Sequence, residues 1–369
     1  MKILTITSND LGISWGPAIH YLELWNEVVE HSDFEVVGIS PSWTKKETIV
    51  QSSFKLKSIQ IPDLRGVRQI IYDSKVFYYL ILNHKKYDLI YIRLSHWHLL
   101  QTIFFLVNKK KFVLEINGLA KEDSISSKKS FIYSYIVKLQ EKWLVENAQL
   151  NICVSSGIEN TLKKRYKKII NTITIANGVA TSFFRKNYNK KNTSSQLKVG
   201  YVGTFTSWDG AADISKLARY FPNIDFIMVG HGDLKAEIQE SAPENVIFTG
   251  KLDYSQLPEF YASIDAAIVL YEFERHRNVK VSSLKTLEYV ASSLPIFSTN
   301  INGQEFIQEN DFGLLLEEEG NLVESFDKFI SSLDNYKNSY KFLDYNLVDV
   351  FGWKKTALKT IQAIKKLEL

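Results

Sequence analysis

The sequence predicts an α/β protein with two Rossmann-like domains, each a doubly wound parallel sheet, facing a central cleft. Three observations lead there. The chain has 369 residues, more than one hydrophobic core ordinarily serves and suited to two domains of roughly 150–200 residues each. Short apolar runs enriched in β-branched residues alternate with longer amphipathic segments, and both halves repeat this rhythm. Several of the runs end in glycine, where a strand-to-helix turn would sit. Strands flanked by helices on both sides bury both faces, which is the mark of parallel sheets.

In the first half the strand-like runs are KILTIT (2–7), FEVVGI (34–39), DLIYIRL (88–94), KFVLEI (111–116), LNICVS (150–155) and TITIA (172–176). They define a first domain over 1–186. The stretch KNYNKKNTSSQ (186–196) is polar and charged without apolar periodicity, and reads as a linker. In the second half LKVGYVG (197–203), IDFIMVG (224–230), NVIFTG (245–250), AAIVL (266–270), PIFST (295–299) and FGLLL (312–316) define a second domain over 197–345. The tail, 346–369, ends in an amphipathic helix with Ala357, Ile361, Ile364 and Leu367 at three- and four-residue spacing. It is expected to pack back on the first domain. The aromatic groups around 77–79 and 104–105 are assigned to the core.

Composition narrows the function classes. Hydrophobic residues make up 45% and charged residues 23%, the profile of a folded globular chain. The single cysteine, Cys153, excludes a disulfide framework and points to a reducing compartment. Met1 runs directly into KILTIT with no signal-peptide pattern, and no window approaches the roughly 18 apolar residues that a membrane span needs. A cytoplasmic protein is expected. The formal charge is only +4, but basic residues cluster at 108–112, 162–168 and 185–192. Such clusters are either solvated faces or attractors of an anionic membrane leaflet, which would place the chain at the inner face of the plasma membrane. No nucleic-acid-binding motif accompanies them. "SHWH" (95–98) sets two histidines two apart without a third ligand in evidence, so no metal site is expected.

In open α/β sheets the ligand crevice lies beyond the carboxyl ends of the strands. The loops after 203, 230, 250, 270 and 299 are therefore the candidates. GYVGTFTSWDG (200–210) offers glycines for close backbone approach and Trp208 as an aromatic surface; VGHGD (229–233) offers His231. VSSLKTLEYVASSLPIFST (281–299) adds chemistry. Ser282, Ser283, Leu284 and Lys285 would form a first helical turn whose free N–H groups and dipole favour a phosphate. Glu288, four residues after Leu284, projects from nearly the same face. A carboxylate there can accept both hydrogen bonds of a ribose diol, so a nucleotide is the expected ligand. The plainer alternative is a Lys285–Glu288 surface pair.

SSLKTLEYVASSLPIFSTNINGQEFI (282–307) resembles the donor-site segment of GT-B glycosyltransferases of family 4. WGPAIHYLELW (15–25), DLIYIR (88–93), LEINGLAKED (114–123), CVSSGIENTL (153–162), IANGVATSFFR (175–185) and NVIFTGKLDYSQLPEFYASIDAAIVL (245–270) resemble further family segments in the right order along nearly the whole chain. The resemblance implies a retaining transfer of sugar from a nucleotide-diphospho-sugar, UDP-linked in preference to GDP-linked. The acceptor would be a glycan or lipid-linked glycan in bacterial cell-surface polysaccharide or lipopolysaccharide synthesis. It places the donor on the second domain and the acceptor on the first. Carried over, Glu288 meets the ribose, the backbone of Ser283, Leu284 and Lys285 meets the diphosphate, Gly203 and Thr204 lie beneath the phosphates, and Gly16 opens the loop covering them. His231 joins this set. Lys285, His20 and Lys280 are the catalytic candidates; Glu115 and Asn117 suit acceptor hydroxyls, or else form a capped turn. Glu122 and Asp123 read as first-turn acids of the next helix. No cofactor or metal is implied, since positive charge and helix N-termini stabilise the leaving diphosphate.

The sequence departs from the family at three places. Lys280 stands where many members carry a glutamate, and Thr204 and Asp209 stand where many carry an arginine and a lysine. FERHRNVK (273–280) is expected to compensate through Arg275, Arg277 or Lys280. A nucleotide-sugar 2-epimerase of the same fold, and a nucleotide-sugar-binding subunit without catalysis, remain as alternatives.

Overall fold

A computed structural model describes residues 1–64, 66–119, 130–168, 171–185, 196–206, 209–276, 283–341 and 351–367. Residues 186–195 of the expected linker, Glu122, Asp123, Trp208, Arg277, Lys280 and Ser282 lie outside the described residues, as do the side chains of Arg275 and His276. The chain divides into two compact units, Met1–Asn177 with Trp353–Leu369, and Gly178–Gly352.

The first unit runs β1 (Lys2–Ile6), α1 (Gly16–Glu30), β2 (Glu35–Ser42), β3 (Lys55–Gln60), α2 (Arg68–Asn83), β4 (Leu89–Arg93), α3 (Leu99–Asn108), β5 (Phe112–Ile116), α4 (Phe131–Asn147), β6 (Leu150–Cys153), α5 (Ser156–Arg165) and β7 (Thr172–Thr174). Its seven strands lie in the order β3-β2-β1-β4-β5-β6-β7, and all pairs are parallel. The central strands are buried throughout, as their apolar runs require: β4 and β5 expose nothing. β3 is different. Its KLKSIQ carries an exposed, charged pattern at the sheet edge, the composition by which edges resist further pairing. An apolar-run reading passes over it.

The second unit continues with α6 (Thr181–Arg185), β8 (Leu197–Thr204), α7 (Ala211–Ala218), β9 (Ile224–His231), α8 (Lys235–Ser241), β10 (Val246–Gly250), α9 (Leu257–Ala262), β11 (Ala266–Val269), α10 (Phe273–His276), α11 (Leu284–Ala291), β12 (Ile296–Thr299), α12 (Glu305–Glu309), β13 (Gly313–Leu316), α13 (Leu322–Ser331) and α14 (Leu333–Lys341). Its sheet order is β10-β9-β8-β11-β12-β13, again parallel. Phe226, Phe297, Phe326 and Phe329 anchor one side of that sheet. The last helix, α15 (Trp353–Lys365), buries Trp353, Ala357, Ile361 and Ile364 and belongs to the first unit, packed on α1. Thr356 Oγ1 donates to the Ala176 carbonyl at 3.0 Å, tying the helix to the end of that unit.

One expectation about side chains changes. Phe104 and Phe105 are core, but Tyr78 is 65% exposed, because α2 turns Tyr72, Val76 and Leu80 inward and leaves Tyr78 on the opposite stripe. His98 Nε2 accepts the Ser95 N–H at 2.9 Å, closing the turn before α3.

Candidate functional site

Each sheet changes direction once. In the second unit the chain leaves β8 toward β9 on one side and returns to β11 on the other, so the ends of β8 and β11 flank the point where a crevice opens. One residue before their ends β8 and β9 carry glycines in register, Gly203 opposite Gly230. Gly230 has φ +144°, and a Cβ there would lie 1.8 Å from the Gly203 carbonyl oxygen. Any side chain is excluded, and backbone is left bare at the strand ends.

α11 starts beside this place. Ser283 caps it, its hydroxyl accepting from the Thr286 N–H and from the Tyr271 hydroxyl at 2.8 Å. Tyr289, one turn further, accepts the Val202 N–H at 3.0 Å and holds the helix against β8. The first-turn N–H groups of α11 therefore open at the ends of β8 and β11, as phosphate binding needs.

Lys285 Nζ reaches back to the strand end. A Cβ on Gly203 would be 3.0 Å from it, and it lies 5.2 Å and 5.3 Å from the ring centroids of Tyr201 and Tyr271. Its ion-pair partner is Asp209 Oδ1 at 3.2 Å. Burial disfavours the ammonium, yet the two tyrosines and the Asp209 carboxylate outweigh it and raise the Lys285 pKa well above the ordinary lysine value. Asp209 is held below the usual carboxylate range: burial opposes this, while Lys285 and the hydroxyls of Thr204 and Thr206 overcome it. Thr204 and Asp209 thus form one polar cradle around Lys285.

Glu288 is buried on α11, at 6% exposure, and its Oε2 accepts the Tyr261 hydroxyl at 2.8 Å. It is not a surface partner of Lys285, whose cation goes to Asp209. His231 is exposed at the end of β9, in register with Thr204. The second unit therefore sets Gly203, Thr204, Ser283, Leu284 and Lys285 at one sheet switch point, with His231 one strand away at the end of β9 and Glu288 one turn along α11, bonded to Tyr261 of α9.

Gly16, His20, Glu115 and Asn117 belong to the first unit. Gly16 is the first residue of α1, followed by Pro17. Glu115 is 2% exposed and fully engaged: Tyr91 donates to Oε2 at 2.8 Å, Asn117 donates to Oε1, Arg93 Nε lies 3.6 Å away and His20 Nε2 3.1 Å away. Burial alone would raise the Glu115 pKa; His20, Arg93 and Asn117 together hold it well below the carboxylate range. His20, 3% exposed and edge-on to Trp353, has its pKa lowered by burial, against the Glu115 carboxylate, which raises it.

Above this cluster lies a cavity of about 490 Å³ at the switch point of the first sheet, lined by Ser8 and Asn9 after β1, Arg93 to Trp97 after β4, and Asn117 and Gly118 after β5. Its aromatic wall is Trp15, Trp43, Trp97 and Tyr133, with Trp97 and Tyr133 stacked at 5.3 Å. No Asp or Glu lines it among the described residues. Of this lining, Asn117 and the segment that begins at Trp15 were legible in the sequence; Trp43 and Trp97 come from separate loops and share no spacing with them.

Comparisons with known proteins agree with this architecture. Residues 196–335 match the family model of glycosyl transferases group 1. TuaH of Bacillus subtilis (strain 168), provisionally named as a teichuronic acid biosynthesis glycosyltransferase, is 24% identical over 184 residues, which are 47% of this chain and 46% of TuaH. The chain thus matches about half the length of that relative. Sucrose-phosphate synthase of Thermosynechococcus elongatus superposes with a TM-score of 0.75 at 16% identity, covering 99% of this chain and 98% of that one. Anabaena HepE in complex with UDP-glucose gives 0.72 at 14% identity, covering all of both chains. The chain has the GT-B fold, and the unit holding the Lys285–Glu288 helix carries its match to glycosyl transferases group 1.

Proposed function

We propose that the protein is a glycosyltransferase that moves a sugar from a nucleoside-diphosphate donor, UDP-linked, to a glycan or lipid-linked glycan acceptor in bacterial cell-surface polysaccharide synthesis. The observation that carries the reading is α11: a helix N-terminus, a protonated lysine and a buried carboxylate one turn apart, at the switch point of the second sheet. In this reading the N–H groups of Ser283, Leu284 and Lys285 receive the diphosphate and Glu288 receives the ribose diol, with Gly203 and Thr204 beneath and His231 at the rim. When the bond between sugar and diphosphate breaks, the diphosphate takes the electron pair. The added charge falls on Lys285 and the helix end, a task that needs no metal. Arg277 and Lys280 are assigned as further phosphate contacts, and Lys280, in place of the family's glutamate, leaves the contact to the transferred sugar open. The UDP preference is supported by the complex of HepE with UDP-glucose, and the polysaccharide role by the name of TuaH. Retention at the transferred carbon rests on the family resemblance.

The first-unit cavity is assigned to the acceptor. Flat aromatic walls suit the C–H faces of a sugar, and Asn117, Asn9 and Ser95 suit its hydroxyls. Glu115 positions Asn117 and Arg93 from below, and His20 acts through Glu115. Gly16 starts the helix whose Pro17 carbonyl accepts from Arg93 at 3.0 Å.

The Asp209–Lys285 pair favours a second reading, in which donor is bound without turnover, because the site's lysine is already neutralised. Incubating the protein with a panel of UDP- and GDP-sugars separates the readings. Release of UDP, or transfer to added glycan, is the expected outcome. Binding without release supports the second reading, and an isomerised donor supports an epimerase instead.

A further inference from the structure

Helix α3, LLQTIFFLVN, buries Phe104 and Phe105 and still carries a second apolar stripe outward. Gln101 and Thr102 are buried beside the two phenylalanines, while Ile103, Leu106 and Val107 are 40%, 57% and 72% exposed. The inward polar groups have internal tasks. Asp73 of α2 accepts the N–H groups of Leu100 and Gln101 and the Gln101 side chain, capping α3 from its neighbour, and Thr102 Oγ1 donates to the His98 carbonyl at 2.7 Å. The outward apolar groups have none within the fold. A helix facing water ordinarily shows a polar outer stripe, and α3 carries no charged residue anywhere along its length.

The neighbouring helices continue the pattern. The chain moves through the first sheet in one direction from β3 to β7, so right-handed crossovers place α2, α3 and α4 on the same face, opposite α1 and α15. α2 packs on α3, and α3 on α4. α2 exposes Tyr78, Ile81 and Leu82; α4 exposes Phe131, Ile132 and Tyr135, at 84%, 71% and 53%. Of the large hydrophobics exposed among the described residues, thirteen of eighteen lie on these helices or on the lead into α2, too concentrated for the scattered apolar residues normal on a monomer surface.

The exposed charge on the three helices is basic, and on the lead into α2 the exposed Asp63 is paired with Arg68 at 2.9 Å. Lys85, Lys86 and Lys109 follow the ends of α2 and α3, and Lys138 and Lys142 fall in the same outer stripe of α4 as Tyr135 and Leu139. No aspartate or glutamate is exposed within Arg68–Lys86, Leu99–Lys111 or Phe131–Asn147: Asp73 and Glu141 are buried and Glu146 is half-buried. Apolar side chains interleaved with an excess of lysines match a surface that is oily below and negative above.

We propose that the α2–α3–α4 face is a docking surface for an anionic lipid bilayer, with Leu106, Val107, Phe131 and Ile132 entering the headgroup boundary and the lysines contacting lipid phosphates. The proposal is independent of the transferase reading. If both hold, a lipid-anchored acceptor reaches the cavity from the same leaflet, because Ile70 and Tyr133, which line the cavity, lie on helices of this face.

The test is sedimentation of the full chain with phosphatidylcholine vesicles made with and without phosphatidylglycerol, together with light scattering of the free protein. The wild type is expected to bind the phosphatidylglycerol vesicles preferentially and to dissociate in part at high salt. L106E/V107E should lower the partition coefficient about tenfold or more. K138Q/K142Q should lower it about fivefold per lysine. Leu358→Glu, on the exposed side of α15, should change nothing, and melting curves confirm that all variants fold. Equal partition of wild type and L106E/V107E, or no binding by the wild type to either vesicle, would overturn the proposal. So would a wild-type dimer that L106E/V107E dissociates, which would assign the face to a second copy of the chain.

Discussion

Lys285→Ala is expected to lower kcat for UDP release from the donor by about 10²–10³-fold, the loss typical when one group facing developing charge is removed. The expectation follows from three features of its surroundings. The ammonium is held at the end of β8 by Asp209 at 3.2 Å, so it is in place before substrate arrives. Tyr201 and Tyr271 flank it and limit water, which strengthens its attraction to a leaving diphosphate. Its pKa lies above the ordinary lysine value, so it carries its charge across the working pH range. Because the charge grows as the bond breaks, kcat and kcat/KM should fall together. Asp209→Asn is the companion variant. It removes the resting partner of Lys285 while keeping a side chain that can meet Thr204 and Thr206, so kcat should stay within about tenfold of wild type and donor affinity should rise as a like charge leaves the phosphate site. A Lys285→Ala enzyme with wild-type kcat would remove Lys285 from the mechanism.

Glu115→Ala is expected to destabilise the first unit by about 3–5 kcal/mol, since it strands a buried cation and several donors that share one carboxylate. At the size of this unit that corresponds to roughly a 10 °C fall in Tm. Arg93, 6% exposed, would keep only its bond to the Pro17 carbonyl, and the Tyr91 hydroxyl and Asn117 amide would lose their acceptor. Glu115→Gln, which retains an acceptor oxygen, should lose less. The same measurement decides how Glu115 serves an acceptor. A positioning role predicts a lower Tm with altered acceptor KM, whereas direct contact alone predicts an unchanged Tm.

The parallel sheets were legible because buried strands write themselves as uninterrupted apolar runs such as DLIYIRL and AAIVL. β3 was not, because its edge position rewards lysines over apolar residues. The α11 segment was legible from local spacing: serine cap, lysine and glutamate all fall within two turns. Its setting was not. Asp209 meets Lys285 across 76 residues of sequence, and no periodicity announces such a pair. For that reason Asp209 read as a missing phosphate cation, when it forms the cradle of the lysine that is present. Glu115 and His20 were singled out singly, while their joint burial with Arg93 and Tyr91 needed the register of β4 against β5. The apolar outer face of α3 shows the limit of the periodic pattern: LLQTIFFLVN is apolar nearly all round, and only the fold shows that Gln101 and Thr102 face inward with Phe104 and Phe105 while Ile103, Leu106 and Val107 face out.

The central claim is that the α11 N-terminus with Lys285 and Glu288 is a nucleoside-diphosphate site. Calorimetric titration of UDP into the full chain, as wild type and as Glu288→Gln, tests it most directly. The account predicts saturable binding by the wild type and a Kd raised about tenfold or more in the variant, the cost of weakening charged hydrogen bonds to the ribose. Equal affinity in both proteins, or no heat from either UDP or GDP, would contradict it.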